Sequence, residues 1–171
     1  INGASIGVLV GAEWIDKPTE AVRFIAGGAV WTLTTNPIQI QKVLTFSEGS
    51  EAHALSPNAN RMAYVLGHNI SVSDDKGETQ AVTTDGTVDL TYGVKVHRDE
   101  FGIHDCLWWS PDSEKLAFYR EDLSPIDDYP YVNWKPTPAV RKQGRYPMAG
   151  TPGSRVTVGV FNAATGQTLY L

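Results

Sequence analysis

A ten-residue segment occurs twice in the chain, 54 residues apart. Ser56-Pro57-Asn58-Ala59-Asn60-Arg61-Met62-Ala63-Tyr64-Val65 aligns position for position with Ser110-Pro111-Asp112-Ser113-Glu114-Lys115-Leu116-Ala117-Phe118-Tyr119. In each copy proline fixes φ at the second position of a turn, and Asn or Asp follows. A basic residue then leads into a short apolar run with aromatic members, the composition of a strand. Such self-similarity excludes most folds at once, because each copy must be a supersecondary unit that buries its face against the next.

Each copy is followed by a second pair of strand-like runs. Residues 69–73 and the run through 82 flank the turn Asp74-Asp75-Lys76-Gly77, and 156–162 and 167–171 flank Ala163-Ala164-Thr165-Gly166. An earlier pair, 30–34 and 38–46, flanks Thr35-Asn36-Pro37. Strand, turn, strand, strand, turn, strand is a four-stranded antiparallel meander. Its repetition every ~40–55 residues predicts an all-β fold of β-propeller blades. A β-sandwich with two similar hairpins is the competing architecture, but it seldom repeats a turn and strand in register. The blades are the back half of one over 30–47 and complete ones over 51–83 and 105–171. That makes about two and a half, where a closed propeller needs at least ~4. The chain is therefore expected to be part of a larger propeller, or to close by assembling with copies of itself.

Residues 1–29 fit the repeat poorly and are set apart from the partial propeller at 30–171. Residues 18–25 allow one or two helical turns stopped by Ala26-Gly27-Gly28-Ala29, or the remnant of a preceding blade. The apolar run 6–12 is far shorter than the ~18 residues of a membrane span. Nor does 1–12 carry the basic start of a signal peptide. Nineteen acidic against fourteen basic side chains give a net charge of −5, which argues against a nucleic-acid partner. The single cysteine, Cys106, cannot form an internal disulfide and fits no multi-cysteine zinc pattern.

Four motifs bear on chemistry. Gly3-Ala4-Ser5-Ile6-Gly7 has the Gly-x-Ser-x-Gly spelling of a nucleophile elbow, but only two residues precede it and no strand can feed the turn. His97, Glu100 and His104 share a spacing that suits one helical face. They lack the His-Glu-x-x-His order, however, and Gly102 weakens a helix there, so neither a metal nor a cofactor is expected. The same stretch reads equally as a solvated loop, or as a carboxylate pair, Asp99 and Glu100, that a helical turn lets converge on one cation. Trp108-Trp109 alternates across an inner strand and reads as packing between blades, and Asn69-Ile70-Ser71 is a formal N-glycosylation triplet.

Residues 92–103, with Tyr92-Gly93 and the run Val96-His97-Arg98-Asp99-Glu100-Phe101-Gly102-Ile103, precede Leu107-Trp108-Trp109-Ser110-Pro111-Asp112. Together with Tyr146-Pro147-Met148-Ala149-Gly150-Thr151-Pro152 they resemble the N-terminal β-propeller domain of dipeptidyl peptidase IV-type serine peptidases, of the prolyl oligopeptidase superfamily, in the form found in Bacteroidetes-type bacteria. The resemblance runs from about 55 to 171. It implies a secreted or periplasmic exopeptidase that releases X-Pro or X-Ala dipeptides, with the propeller over an α/β-hydrolase domain. An acidic pair on a short helical insertion grips the substrate's free ammonium in that family, and Asp99 and Glu100 match it. Such a pair offers a cation charge-assisted hydrogen bonds that an internal peptide cannot use. The family's substrate-binding arginine has no counterpart in Arg23 or Arg61, and the hydrolase domain is not in this sequence, so the chain is expected to bind without cutting. A free-standing peptide-binding or scaffold propeller is the alternative.

Residues 121–152 separate the second and third strands of the last blade by about thirty residues, where a few would suffice. The segment holds six of the ten prolines, an acidic first half (Glu121, Asp122, Asp127, Asp128) and a basic second half (Lys135, Arg141, Lys142, Arg145). Tyr129, Tyr131, Trp134 and Tyr146 are interleaved. Those aromatics argue for an ordered arm, and the resemblance implies that it packs on a second copy to form a homodimer.

Overall fold

In the computed structural model, which describes residues 10–16, 20–104, 106–142 and 144–171, the two Ser-Pro-Asx copies close the same turn. Ser56 Oγ donates to Asn58 Oδ1 (2.8 Å) and accepts from Arg61 N (3.0 Å), while Asn60 N donates to Asn58 Oδ1 (3.1 Å). In the second copy Ser110 Oγ donates to Asp112, Lys115 N donates to Ser110 Oγ (2.9 Å) and Glu114 N to Asp112 Oδ1 (3.0 Å). The copies also touch, Asn58 N donating to Ser113 Oγ (3.1 Å) and Arg61 Nη1 to Ser113 O (3.3 Å). The repeated sequence is thus both the hairpin turn of each blade and part of the joint between blades.

Fifteen strands form among the described residues. The first sheet is β1 (Val10–Asp16), β2 (Ala21–Ala26), β3 (Ala29–Thr35) and β4 (Ile38–Thr45), antiparallel in chain order. The second is β5 (Glu51–Leu55), β6 (Arg61–Leu66), β7 (Asn69–Asp74) and β8 (Thr79–Ala81), ordered the same way. Then come β9 (Leu90–Tyr92), β10 (Leu107–Trp109), β11 (Lys115–Asp122), β12 (Tyr131–Asn133), β13 (Val140–Lys142), β14 (Arg155–Asn162) and β15 (Gln167–Tyr170). The third sheet runs β10-β11-β14-β15, with β12 and β13 set apart as a hairpin. The expected all-β blade architecture is what forms. Among the described residues no helix is long and apolar enough to cross a membrane.

The first sheet has all four strands, so among the described residues two four-stranded sheets and a five-stranded one, in which β9 also pairs with β11, stand where the sequence suggests two and a half blades. The difference lies in 10–26. Gly27 and Gly28 both take positive φ (55° and 65°) and make the two-residue turn of a hairpin, with Ala26 opposite Ala29. Glycines that read as a helix stop are hairpin glycines instead, and Val22, Phe24 and Ile25 go into a strand rather than a helical turn.

Sheets pack face to face in chain order because β6 is apolar on both sides. Met62 and Tyr64 join Val30 and Leu44 of the first sheet, whereas Ala63 and Val65 join Leu116, Phe118 and Phe161 of the third. That is the period-two alternation of a strand buried on both faces. Burying each large side chain contributes roughly 1.5–3 kcal/mol. Trp109 spans the second joint, its Nε1 donating to Ala54 O (2.9 Å). Trp108 points to the opposite face, edge-on to Tyr119 (4.9 Å) and 41% exposed.

Candidate functional site

One edge of β11 carries two successive partners. Leu107, Trp108 and Trp109 pair with Phe118, Ala117 and Leu116, and further along Tyr92, Thr91 and Leu90 pair with Arg120, Glu121 and Asp122. The chain between these partners, residues 93–106, leaves the sheet edge as an insertion that starts at Gly93. Gly93 has φ +67°, and a Cβ there would lie 2.7 Å from Leu107 Cδ2, so only glycine fits this exit.

The insertion carries a single 3₁₀ turn, His97–Asp99. His97, Arg98 and Asp99 all have positive φ (50°, 56° and 70°), a conformation that costs a non-glycine residue roughly 1–2 kcal/mol. Surrounding contacts hold the turn in place. Glu121 Oε1 accepts from His97 N (3.0 Å), and Arg98 Nη1 donates to Tyr131 Oη (2.9 Å) and Arg145 O (3.2 Å). The Arg98 guanidinium also lies 4.9 Å from the Tyr146 ring centre, within cation–π reach. Backbone strain kept by the packing around it is a common property of functional turns.

The arm supplies those contacts. It is an antiparallel hairpin in which Tyr131, Val132 and Asn133 face Lys142, Arg141 and Val140, extended by a bridge between Asp128 and Arg145. Acidic and basic halves therefore meet within one chain. Tyr129 packs against Tyr131 (5.0 Å) and Tyr146 (5.6 Å). Arg145 ties the arm to the blade by donating to Asp89 from Nε (2.5 Å) and Nη2 (2.8 Å), and by a bond from Nη1 to Ile126 O. The hydrogen bond from Arg145 holds the Asp89 carboxyl below its ordinary range.

Insertion, arm and β11 enclose a cavity of about 820 Å³ whose wall includes His97, Glu100, Phe101, Glu121, Arg145 and Ser154. A second cavity of about 520 Å³ is lined by Asp99, His104, Lys95 and Glu51, and it shares Arg98, Glu121 and Leu123 with the first. The two carboxylates singled out in sequence thus border adjoining spaces. Glu100 is half-exposed on the larger cavity, 3.7 Å from Arg98 Nε. Asp99 turns toward His104, with Oδ1 2.6 Å from Nδ1.

Glu121 has no sequence signal of its own; in the chain it is one more acid at the start of the arm. In the fold its side chain is only 5% exposed, wedged where β11 passes between β9 and β14. Ser154 Oγ donates to Glu121 Oε1 (2.6 Å) and lies 3.2 Å from His97 Nδ1. The grouping contains serine, histidine and a carboxylate, but the serine proton goes to the carboxylate, so the imidazole does not activate the hydroxyl as a nucleophile requires.

His97, Glu100 and His104 do not converge: His97 faces Ser154 and Glu121, His104 faces Asp99, and no metal-holding group of three or more such ligands occurs among the described residues. Arg23 pairs with Glu13 (3.4 Å) and Arg61 lies in the joint between blades. The Asn69 amide is occupied, accepting from Gly86 N (2.8 Å) and Thr83 Oγ1 (3.1 Å) and donating to Gly67 O (3.3 Å). The Gly3–Gly7 motif lies outside the described residues.

Comparison with known proteins identifies the family. Residues 14–171 match the family described as the dipeptidyl peptidase IV (DPP IV) N-terminal region. The probable dipeptidyl peptidase 4 of Aspergillus clavatus is 34% identical over 164 residues, covering 90% of this chain and 21% of that protein. A crystal structure from Bacteroides ovatus, described as a dipeptidyl aminopeptidase IV, superposes with a TM-score of 0.76 at 30% identity, over 94% of this chain and 22% of that one. Porphyromonas gingivalis dipeptidyl peptidase 4 superposes at 0.68 with 25% identity, over 95% and 23%. The chain spans about a fifth of the length of each.

Proposed function

The chain belongs to the dipeptidyl peptidase IV N-terminal region family, and on that premise we propose that it is the non-catalytic propeller portion of a serine exopeptidase. Its part is to admit peptides and anchor their free N-terminus while an α/β-hydrolase domain elsewhere in the protein releases X-Pro or X-Ala dipeptides. The observation that carries this reading is the strained insertion at 93–106, which sets Glu100 on the wall of a cavity of about 820 Å³ beside the buried Glu121. Glu100 is the first anchor and Asp99, turned to His104, the second. An ammonium entering there exchanges water for charge-assisted hydrogen bonds, whereas an acylated terminus brings no cation to offset the negative wall.

Glu100→Gln in the full polypeptide tests the reading. Losing one charge-assisted contact costs about 1.5–3 kcal/mol, so kcat/KM for an Ala-Pro chromogenic substrate should fall roughly ten- to a hundredfold. Unchanged kinetics would remove Glu100 from the site. The arm at 121–152 we assign to homodimer formation, and the protein to the periplasm or the secreted fraction.

A further inference from the structure

Glu121 is a nine-tenths-buried carboxylate to which no Lys or Arg forms an ion pair among the described residues. The His97 ring lies beside it, with Nδ1 3.8 Å from Oε1 and 3.2 Å from the Ser154 hydroxyl. Arg98, which lines the same cavity, is committed to Tyr131, the Arg145 carbonyl and Glu100. Among the described residues both hydrogen bonds to the Glu121 side chain arrive at one oxygen, Oε1, and none reaches Oε2. Burying a carboxylate without a cation beside it is costly, and a cation of matching size would offset that cost. Both cavities are lined by this residue.

We infer that Glu121 is a specificity-determining residue: its Oε2 receives a primary ammonium, the peptide N-terminus, while His97 N–H and Ser154 hold Oε1 and fix the carboxylate's orientation. The inference rests on the ammonium reading of this cavity and adds to it a carboxylate that is pre-positioned before the ligand arrives. Glu100, half-exposed and on the strained turn, approaches the cation from the wall; Glu121 meets it from the floor. Because Glu121 is held from both the insertion and the segment returning from the arm, the arm and the ammonium site are set by one side chain.

The test is calorimetric binding of the dipeptide Ala-Pro and of its N-acetyl form to the full polypeptide, with Glu121→Gln and Glu100→Gln beside the parent. Glutamine keeps an acceptor for His97 N and Ser154 while removing the charge. The expected result is a loss of at least about tenfold in the preference for the free amine in Glu121→Gln, with a Tm equal to or above the parent's. A preference that survives Glu121→Gln but collapses in Glu100→Gln overturns the role of Glu121 and leaves the ammonium site standing. A preference unchanged in both overturns the site and this inference together. A Glu121→Gln protein that does not fold, or melts more than ~5 °C lower, also overturns it, because the carboxylate would then be a structural strut.

Discussion

Gly159 of β14 stands directly opposite Phe118 of β11, and a single methyl group there tests the packing of the third sheet. A Cβ at this position would lie 2.3 Å from Phe118 Cζ and 2.5 Å from Cε2. Carbon atoms in contact sit ~3.5–4.0 Å apart, so the ring must retreat by more than ~1 Å. It has little room to do so: Phe118 is fully buried and edge-on to Tyr92 and Tyr170, each with ring centres 6.1 Å away. Overpacking of this kind costs about 1–3 kcal/mol, offset by the ~0.5–1 kcal/mol that replacing a strand glycine returns. Gly159→Ala should therefore destabilise by about 1 kcal/mol, near the middle of the ~0–2.5 kcal/mol that the difference of those two terms spans. Phe118→Ala vacates the space, and in that background the Gly159→Ala methyl should be neutral or stabilising. Urea denaturation of the parent, both single variants and the double variant, followed by tryptophan fluorescence, gives the coupling. We expect ~1–3 kcal/mol. A Gly159→Ala variant within ~0.3 kcal/mol of the parent, or one with the same cost in both backgrounds, would refute the argument.

Two further expectations concern the arm. The Arg145 hydrogen bond depresses the Asp89 pKa below its ordinary value, so its stabilisation is present above about pH 4 and is lost as pH falls through the lower folded value. In an NMR titration of the Asp89 carboxyl carbon, Arg145→Ala should raise the midpoint, and an unmoved midpoint would contradict the pairing. Replacing 124–146 by a short Gly-Ser linker should leave the three sheets folded and convert a dimer to monomers in light scattering; an unchanged mass would remove the arm from the dimer interface.

The blades were legible because their information is local: the Ser-Pro-Asx turns at 56–58 and 110–112 encode their own hydrogen bonds, and β6 shows its apolar character in six residues. The first two strands were not, since Gly27-Gly28 stops a helix as readily as it turns a hairpin. Only pairing with β3 decides between them. The position of Asp99 and Glu100 at the blade edge was visible, but their division between two cavities depends on three successive positive-φ residues that no composition announces. Glu121 escaped because its burial comes from non-local register, with β9 replacing β10 along one side and β14 lying on the other. Arg145 looked like one of four cations free to meet another copy; its Asp89 partner sits 56 residues away on the near side of the insertion.

Whether this cavity holds a peptide's free ammonium is read directly from a crystal structure of the full polypeptide with Ala-Pro bound. The dipeptide's amino nitrogen should lie within ~3.2 Å of a Glu100 carboxylate oxygen, inside the space walled by Phe101, Glu121 and Ser154. An amino nitrogen that points away from Glu100, or a dipeptide whose carboxylate rather than its amine occupies this cavity, would contradict it.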